Sequence, residues 1–322
     1  VELATAFAAA GSLAGDALQF SSELVQDLAR RALERGDPVR GEFVYRRVDL
    51  ACVTCHAIGG VGGRVGPDMT SLGASAPMDY LVEALLLPSA KIKEGYHSVV
   101  VETRDGEEIT GTLARETPEE IFLRNAAGQE IAVAKVSVSR RETGRLSLMP
   151  SGLLEPLSEQ ERLDLLAFLG QLGKPGAFDA SRGGVARYWR VANLLHTDVQ
   201  NDNADWFWKR PAEDPRWTPV STLVRGDLTS EVLQPALKAE AWTSKLAVLL
   251  MTEMEVPAEG QVRLRVTAPG AEVWVSGARL GSEGELQAVL PAGRHRVILQ
   301  LDPRRIPDVV RLEASGAGFL LQ

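Results

Sequence analysis

In this 322-residue chain the residues whose types and spacing could do chemistry are Cys52, Cys55 and His56. Cys52 and Cys55 are its only two cysteines. Thiols three positions apart leave one helical turn on the same side, where each can add to a vinyl group of a haem. The histidine immediately after them is then carried under the iron, and Cys-x-x-Cys-His is the attachment pattern of c-type haem. Three plainer readings use the same residues. A structural zinc site takes four Cys or His ligands, usually as two separated pairs, and here no second pair exists, since His97, His196 and His295 are scattered. A thioredoxin-type dithiol sits where a strand feeds a helix inside a βαβ unit, whereas this motif comes after a helical pattern. A five-residue pattern also arises by chance. The motif alone favours haem and leaves these readings open.

The composition bounds the class. A length of 322 residues suggests about two domains, and 45% hydrophobic with 24% charged residues is ordinary for a globular chain. A net charge of −8 argues against nucleic acid, which calls for a concentrated basic surface. No apolar stretch approaches the roughly 20 residues that cross a bilayer as a helix. The first residues, Val1 to Phe7, contain neither an initiating Met nor a basic leader, so a fragment or a processed chain is expected.

The elements that must position the motif come in chain order. Residues 1–22 are alanine-rich, and residues 1–37 together read as an N-terminal helical segment. Ser22 offers an N-cap, Leu24, Val25, Leu28, Ala32 and Leu33 recur at helical spacing, and Gly36 stops the run. Asp37-Pro38 starts another helix, with a capping carboxylate and then proline at the first helical position. That helix is expected to run through Gly41, Phe43 and Tyr45 into the cysteines. Pro77 to Leu87 reads as a helix closed by Pro88. The period then changes to that of strands: Val99 and Val101, Ile109 to Leu113, Ile121 and Leu123, Ile131 and Val133, with turns at Asp105-Gly106 and Asn125 to Gly128. Residues about 95–142 are therefore expected to form an inserted small antiparallel β-barrel. Ser158 and Glu161 form a capping box ahead of Leu163, Leu166, Ala167, Phe168 and Leu169, the expected closing helix.

Gly41 and Tyr45 ahead of the motif, and Gly66-Pro67-Asp68 behind it, resemble small class I cytochromes c. The resemblance implies that Gly41 lets the first helix cross the last closely. It implies that the Pro67 carbonyl accepts the proton on the far nitrogen of His56 and so fixes its tautomer, as outer groups do for metal ligands generally; an ordinary Gly-Pro turn is the plainer reading. The inserted strands depart from the simple type. With Gly95-Tyr96, Asp105-Gly106, Leu148-Met149-Pro150 and Asp164 to Leu169, the string over residues about 38–173 resembles the haem-binding domain typified by Planctomycetes and Verrucomicrobia. There the domain commonly ends large exported proteins that also contain helical repeats and a propeller resembling sugar dehydrogenases. The resemblance implies one covalent haem c, an exported or periplasmic location, and a redox partner protein.

Five methionines compete for the second axial position. Met251 and Met254 lie in a distant strand-like region, and Met78 opens a helix. Met69 comes so soon after Pro67 that it is expected to stay on the proximal face. Met149, in an irregular loop before the closing helix and stiffened by Pro150, lies where class I cytochromes carry their methionine. His97, an open site, or a Met149 that merely packs in the core are the alternatives.

Residues 174–184 read as a Gly/Pro/Ser-rich linker, and 185–322 as a jelly-roll-like β-sandwich, with strands at Leu246 to Met251, Val262 to Val266, Val273 to Val275, Leu286 to Leu290, Val297 to Leu301, Val309 to Leu312 and Phe319 to Leu321. Trp206, Trp208, Trp217, Trp242 and Trp274 include candidates for a sugar-stacking platform, although tryptophan is more often a core anchor. Asp198, Asn201, Asp202, Asn203 and Asp205 lack the spacing, central glycine and closing glutamate of a known calcium loop. His196, His295 and Ser244 form no recognisable triad. The expected whole is an α+β multidomain protein whose haem domain transfers single electrons, more an electron-transfer module than an enzyme in its own right. The alternative is a carbohydrate- or partner-binding protein in which haem serves structure or sensing.

Overall fold

The computed structural model describes residues 20–181, 183–195, 211–237 and 245–321. The alanine-rich start up to residue 19 lies outside them. The chain divides into two compact units, Val1–Asp179 and Ala180–Gln322, and it is α+β: helices with a small antiparallel sheet, then further antiparallel sheets.

In the first unit, α1 (Ser22–Arg35) is capped one residue earlier than expected, by Ser21, whose hydroxyl accepts from the Leu24 N–H at 3.1 Å. Val25, Leu28, Ala29 and Ala32 form its buried stripe. α2 (Pro38–Tyr45) starts at Asp37, whose carboxylate accepts from the Val39 and Arg40 N–H groups. It stops at Tyr45, short of the cysteines, and a turn over residues 46–51 separates it from α3 (Cys52–Cys55), a single turn. α4 (Leu72–Ser75) and α5 (Met78–Leu86) come next. α6 (Glu159–Gln171) closes the unit behind its capping box, in which Ser158 and Glu161 each satisfy the other's backbone N–H.

The α2–α6 crossing is backbone against backbone. A Cβ on Gly41 would lie 1.9 Å from the Asp164 carbonyl oxygen and 2.7 Å from Phe168 Cβ, so only glycine allows this approach. Fully buried Phe168 stacks obliquely on Tyr45 at 5.4 Å and edge-on to Phe178 at 5.7 Å. Asp164 is the buried polar anchor of the crossing. Its carboxylate accepts from the Asp37 N–H at 2.7 Å, from Arg40 Nε and Nη2 at 2.8 and 3.1 Å, and from Gln160 at 2.8 Å. Burial pushes its pKa up, but the Arg40 and Asp37 donors and Gln160 outweigh burial and hold the carboxyl below its ordinary value.

Between α5 and α6 the chain forms β3 (Ser98–Thr103), β4 (Glu108–Glu116), β5 (Glu120–Arg124), β6 (Glu130–Ala134) and β7 (Val138–Thr143), which come after a two-strand hairpin, β1 (Ala57–Ile58) and β2 (Val61–Gly62), in chain order. The five strands pair in the order β6-β5-β4-β3-β7 around Val99, Val101, Ile109, Ile121, Leu123 and Val133. The expected barrel is not closed, because β6 and β7 pair with one neighbour each. The sheet is nevertheless curled. The turn Lys135–Ser137 carries the chain from one outer strand to the other, a gap of about 19 Å in a flat five-stranded sheet at ~4.8 Å per strand, whereas four residues extend only about 14 Å.

The second unit holds two antiparallel sheets. One contains β8 (Tyr188–Leu195), β9 (Thr218–Ser221), β11 (Lys245–Val256), β13 (Glu272–Val275), β14 (Ala278–Ser282) and β16 (Gly293–Leu301) in the order β14-β13-β16-β11-β8-β9, with β18 (Gly318–Phe319) also on β11. The other is β10 (Leu228–Thr229), β17 (Val309–Ser315), β12 (Gly260–Thr267) and β15 (Gly284–Leu290), in the order β10-β17-β12-β15. One apolar core takes Trp189, Leu250, Val273 and Leu299 from the first sheet and Leu264 and Leu312 from the second, so the sheets pack face to face.

Asp164→Asn is expected to destabilise the chain by about 1–3 kcal/mol at neutral pH, because buried charge-assisted bonds are lost. A carboxyl whose pKa is lowered by folding stabilises the fold above its unfolded value of roughly 3.9, and that contribution is lost as pH falls through the folded value. Urea unfolding across this range should show the gap between native and variant chains narrowing as pH falls.

Candidate functional site

The site is built from backbone first. Leu50 and Ala51 donate to the Arg47 and Val48 carbonyls. Ala51 takes a left-handed conformation (φ 53°), which turns the chain into α3. Within that turn the Thr54 N–H bonds the Ala51 carbonyl at 3.1 Å and the His56 N–H bonds the Cys52 carbonyl at 2.9 Å. The chain then leaves through β1, reverses at Gly59-Gly60, both with positive φ (61° and 77°) as such a tight hairpin requires, and returns along the motif. On the way back the Gly63 N–H takes the Val53 carbonyl at 2.9 Å and the Gly66 N–H takes the Cys55 carbonyl at 2.8 Å. The hairpin is pinned by Thr70, whose hydroxyl accepts from the Gly59 N–H at 2.7 Å, and by the Met69 N–H on the Ala57 carbonyl at 2.8 Å.

This return path encloses the imidazole. The Pro67 carbonyl lies 2.8 Å from His56 Nδ1. A carbonyl can only accept, so Nδ1 carries the proton and Nε2 keeps its lone pair. Gly66 lies directly against the ring: a Cβ there would fall 2.4 Å from Cε1, 2.7 Å from Nδ1 and 2.9 Å from Nε2. Tyr45 donates its hydroxyl to the His56 carbonyl at 3.3 Å. Burial holds the His56 pKa below its ordinary value, against the opposing Pro67 hydrogen bond and the charge of Asp68. At neutral pH the ring is a neutral, oriented base.

Cys52 and Cys55 are both free thiols and half-buried. Burial pushes the Cys52 thiol up to about 11 and raises that of Cys55. An activated redox dithiol has the opposite tendency, with one thiol lowered toward thiolate. Zinc finds no set of ligands either, because among the described residues no group of three or more His, Cys, Asp or Glu is placed to hold a metal ion. What the site does offer is two thiols on one turn, an adjoining imidazole held with Nε2 available, and a bare glycine against its face. That donor set can hold a porphyrin through two thioethers and one axial nitrogen.

The chain therefore brings Cys52, Cys55, His56 and Pro67 together. Met149 lies in the irregular stretch before α6 and is half-buried. Of its competitors, Met251 and Met254 are fully buried in the second unit, Met69 is buried beside the hairpin, and Met78 points its methyl at Gly170 of α6. His97 is half-buried just ahead of β3. Sequence reasoning missed Gly66 as a packing surface for the ring and Thr70 as the hairpin's anchor. The glycine pairs at 59–60 and 62–63 were the available signal, the first because the tight reversal needs positive φ and the second because side chains there would collide with the backbone of the motif.

In the second unit Trp217 is buried, and Trp274 packs half-buried against the same cluster on the outer face of the larger sheet. Trp206, Trp208 and Trp242 lie outside the described residues, as do the Asp198 to Asp205 group, His196 and Ser244. His295 uses both ring nitrogens locally: Nε2–H donates to the Pro291 carbonyl at 2.9 Å and Nδ1 accepts from the Ser276 hydroxyl at 3.0 Å. Among the described residues no helix is long and apolar enough to cross a membrane. Comparison with known proteins returns no matching family model and no matching curated protein.

Gly66→Ala is expected to displace the imidazole and break its bond to Pro67. In the chain without cofactor, nitrogen-resolved NMR should show a single Nδ1–H tautomer for native His56, titrating below the ordinary value of about 6.5. The variant should show mixed tautomers and a pKa nearer that value.

Proposed function

We propose that the chain is a monohaem c-type cytochrome module that transfers single electrons. Cys52 and Cys55 would hold the haem through thioethers, His56 and Met149 would ligate its iron, and Pro67 orients His56. The single observation that carries the reading is the half-buried imidazole that directly follows two free thiols on one turn and is fixed by the Pro67 carbonyl with Nε2 available. Zinc would use an imidazole so oriented but finds no further ligands beside it among the described residues, and a reactive dithiol would need a lowered thiol where burial raises both. When bound, haem iron with one imidazole and one thioether ligand supplies a one-electron couple, and the thioether raises its potential.

The residues of this chain do the rest. The Pro67 carbonyl keeps the proton on Nδ1, which raises the basicity of the nitrogen that would face the iron. Gly66 holds the plane of the ring. The α2–α6 crossing at Gly41, with Tyr45 and Phe168 stacked across it, supports a cytochrome c type of helical frame. The curled sheet between α5 and α6 takes the place of the inserted barrel in the domain typified by Planctomycetes and Verrucomicrobia, and the two packed sheets of the second unit take that of a jelly-roll-like sandwich. Thioether attachment of haem occurs on the far side of the cytoplasmic membrane, so the module works exported, between a donor such as a sugar or alcohol dehydrogenase and a respiratory acceptor.

Matured in a host competent for c-type cytochromes, the protein should gain the mass of one haem and show a c-type pyridine haemochrome, and the double variant Cys52→Ala, Cys55→Ala should be colourless. Voltammetry should show one reversible one-electron wave. Met149→Ala should abolish the weak far-red sulfur-to-iron band of the oxidised protein and lower the potential. A colourless native preparation of unmodified mass overturns the reading.

A further inference from the structure

The stretch that carries Met149 has no regular secondary structure, yet it is tied down from both sides. Upstream, the chain enters the five-stranded sheet at Ser98 and leaves it at Thr143, and the two ends lie side by side in the β3–β7 ladder, where Val99 pairs with Thr143. The Gly144 N–H donates to the Ser98 carbonyl at 2.7 Å, and Ser98, a residue only 6% exposed, donates its hydroxyl to the Leu146 carbonyl at 2.9 Å. The fit is close, since a Cβ on Gly144 would lie 2.2 Å from that hydroxyl oxygen. Ser89, in the segment between α5 and β3, accepts from the Ser147 N–H at 3.0 Å. Ser147 in turn accepts from the Met149 N–H at 3.1 Å through its own hydroxyl. Downstream, Arg162 of α6 reaches back to the Leu154 carbonyl at 2.8 Å, and Leu154 and Leu157 are buried.

Three serine hydroxyls, one of them at the root of the sheet, thus hold the loop backbone at Leu146, Ser147 and Met149. A loop with no ladder of its own takes its conformation from such bonds, and each contributes on the order of 1 kcal/mol. We infer that Ser98, Ser89 and Ser147 are positioning residues for Met149, and that the inserted sheet is the platform which holds that loop in its ligand-presenting conformation. The inference rests on the reading of Met149 as the distal ligand. None of the three serines touches the cofactor in this assignment; they act through the loop.

The test uses the matured holoprotein. Native protein should show the far-red sulfur-to-iron band. Ser98→Ala and Ser147→Ala should weaken or abolish it and lower the midpoint potential, with the haem still covalently attached and the c-type haemochrome unchanged. Ser147→Thr, which keeps the hydroxyl, should retain the band. Ser98 is buried and its variant can fail to fold, so exposed Ser89→Ala supplies a second test: hydrogen exchange at the Ser147 amide should speed up about tenfold, the loss of one hydrogen bond, with the band diminished. If native protein has the band and folded Ser147→Ala and Ser89→Ala keep both band and potential, the positioning role is overturned while the electron-transfer reading stands. If native protein lacks the band, Met149 is not the ligand, and the positioning role falls with it.

Discussion

An imidazole whose Nδ1 is committed to a carbonyl has one nitrogen left to give. That constraint, set by the 2.8 Å contact between His56 and Pro67, explains most of what surrounds it. The chain must return from the motif within about ten residues and pass the ring at van der Waals distance, so it needs a two-glycine reversal, a bare backbone at Gly66 and a hydroxyl at Thr70 to pin the hairpin. The returning N–H groups of Gly63 and Gly66 also satisfy motif carbonyls that a one-turn helix leaves unpaired. Tyr45, which bonds the His56 carbonyl, is backed by Phe168, and the two rings meet because Gly41 lets two helices touch along their backbones.

Much of this was legible in the residues themselves. Asp37-Pro38, Gly36 and the Ser158/Glu161 pair mark helix ends through local chemistry, where a side chain or a missing N–H acts within three positions. Their reading holds apart from a one-residue shift of the first cap from Ser22 to Ser21. The strands from Val99 to Val133 were visible because alternate residues face one small core. The helix expected to continue from Pro38 into the cysteines instead ends at Tyr45. Nothing in a periodicity of apolar residues reports the left-handed Ala51 that redirects the chain, because the φ of a single residue leaves no mark on that pattern.

What was not legible depends on contacts distant in sequence. Asp164 looks like one more polar residue on a helix, and only the arrival of the Asp37 N–H and the Arg40 guanidinium, more than 120 positions away, makes it an anchor. The strand Tyr188–Leu195, next to the edge of its sheet, is hidden from a pattern of alternation because both faces are buried, Trp189 and Val191 on one and Ala192 and Leu194 on the other. Barrel closure is likewise a question of whether two outer strands meet, which turn and strand signals do not answer. The same separation between local and distant causes applies to the serines near Met149, each unremarkable alone and meaningful as a series.

The unclosed sheet has a consequence of its own. β7 pairs only with β3, so the backbone groups along its other side face outward, the kind of template that invites a second chain to add a strand. Its run from Ser139 to Thr143 is exposed and includes Arg140, Arg141 and Glu142, and Arg141 forms an ion pair with Glu116 of β4 at 3.0 Å. An incoming strand would have to strip water from these charges, which is how charged edge strands discourage further pairing. The open rim is thereby guarded against self-association, and the charged strand that finishes the sheet also keeps it from growing.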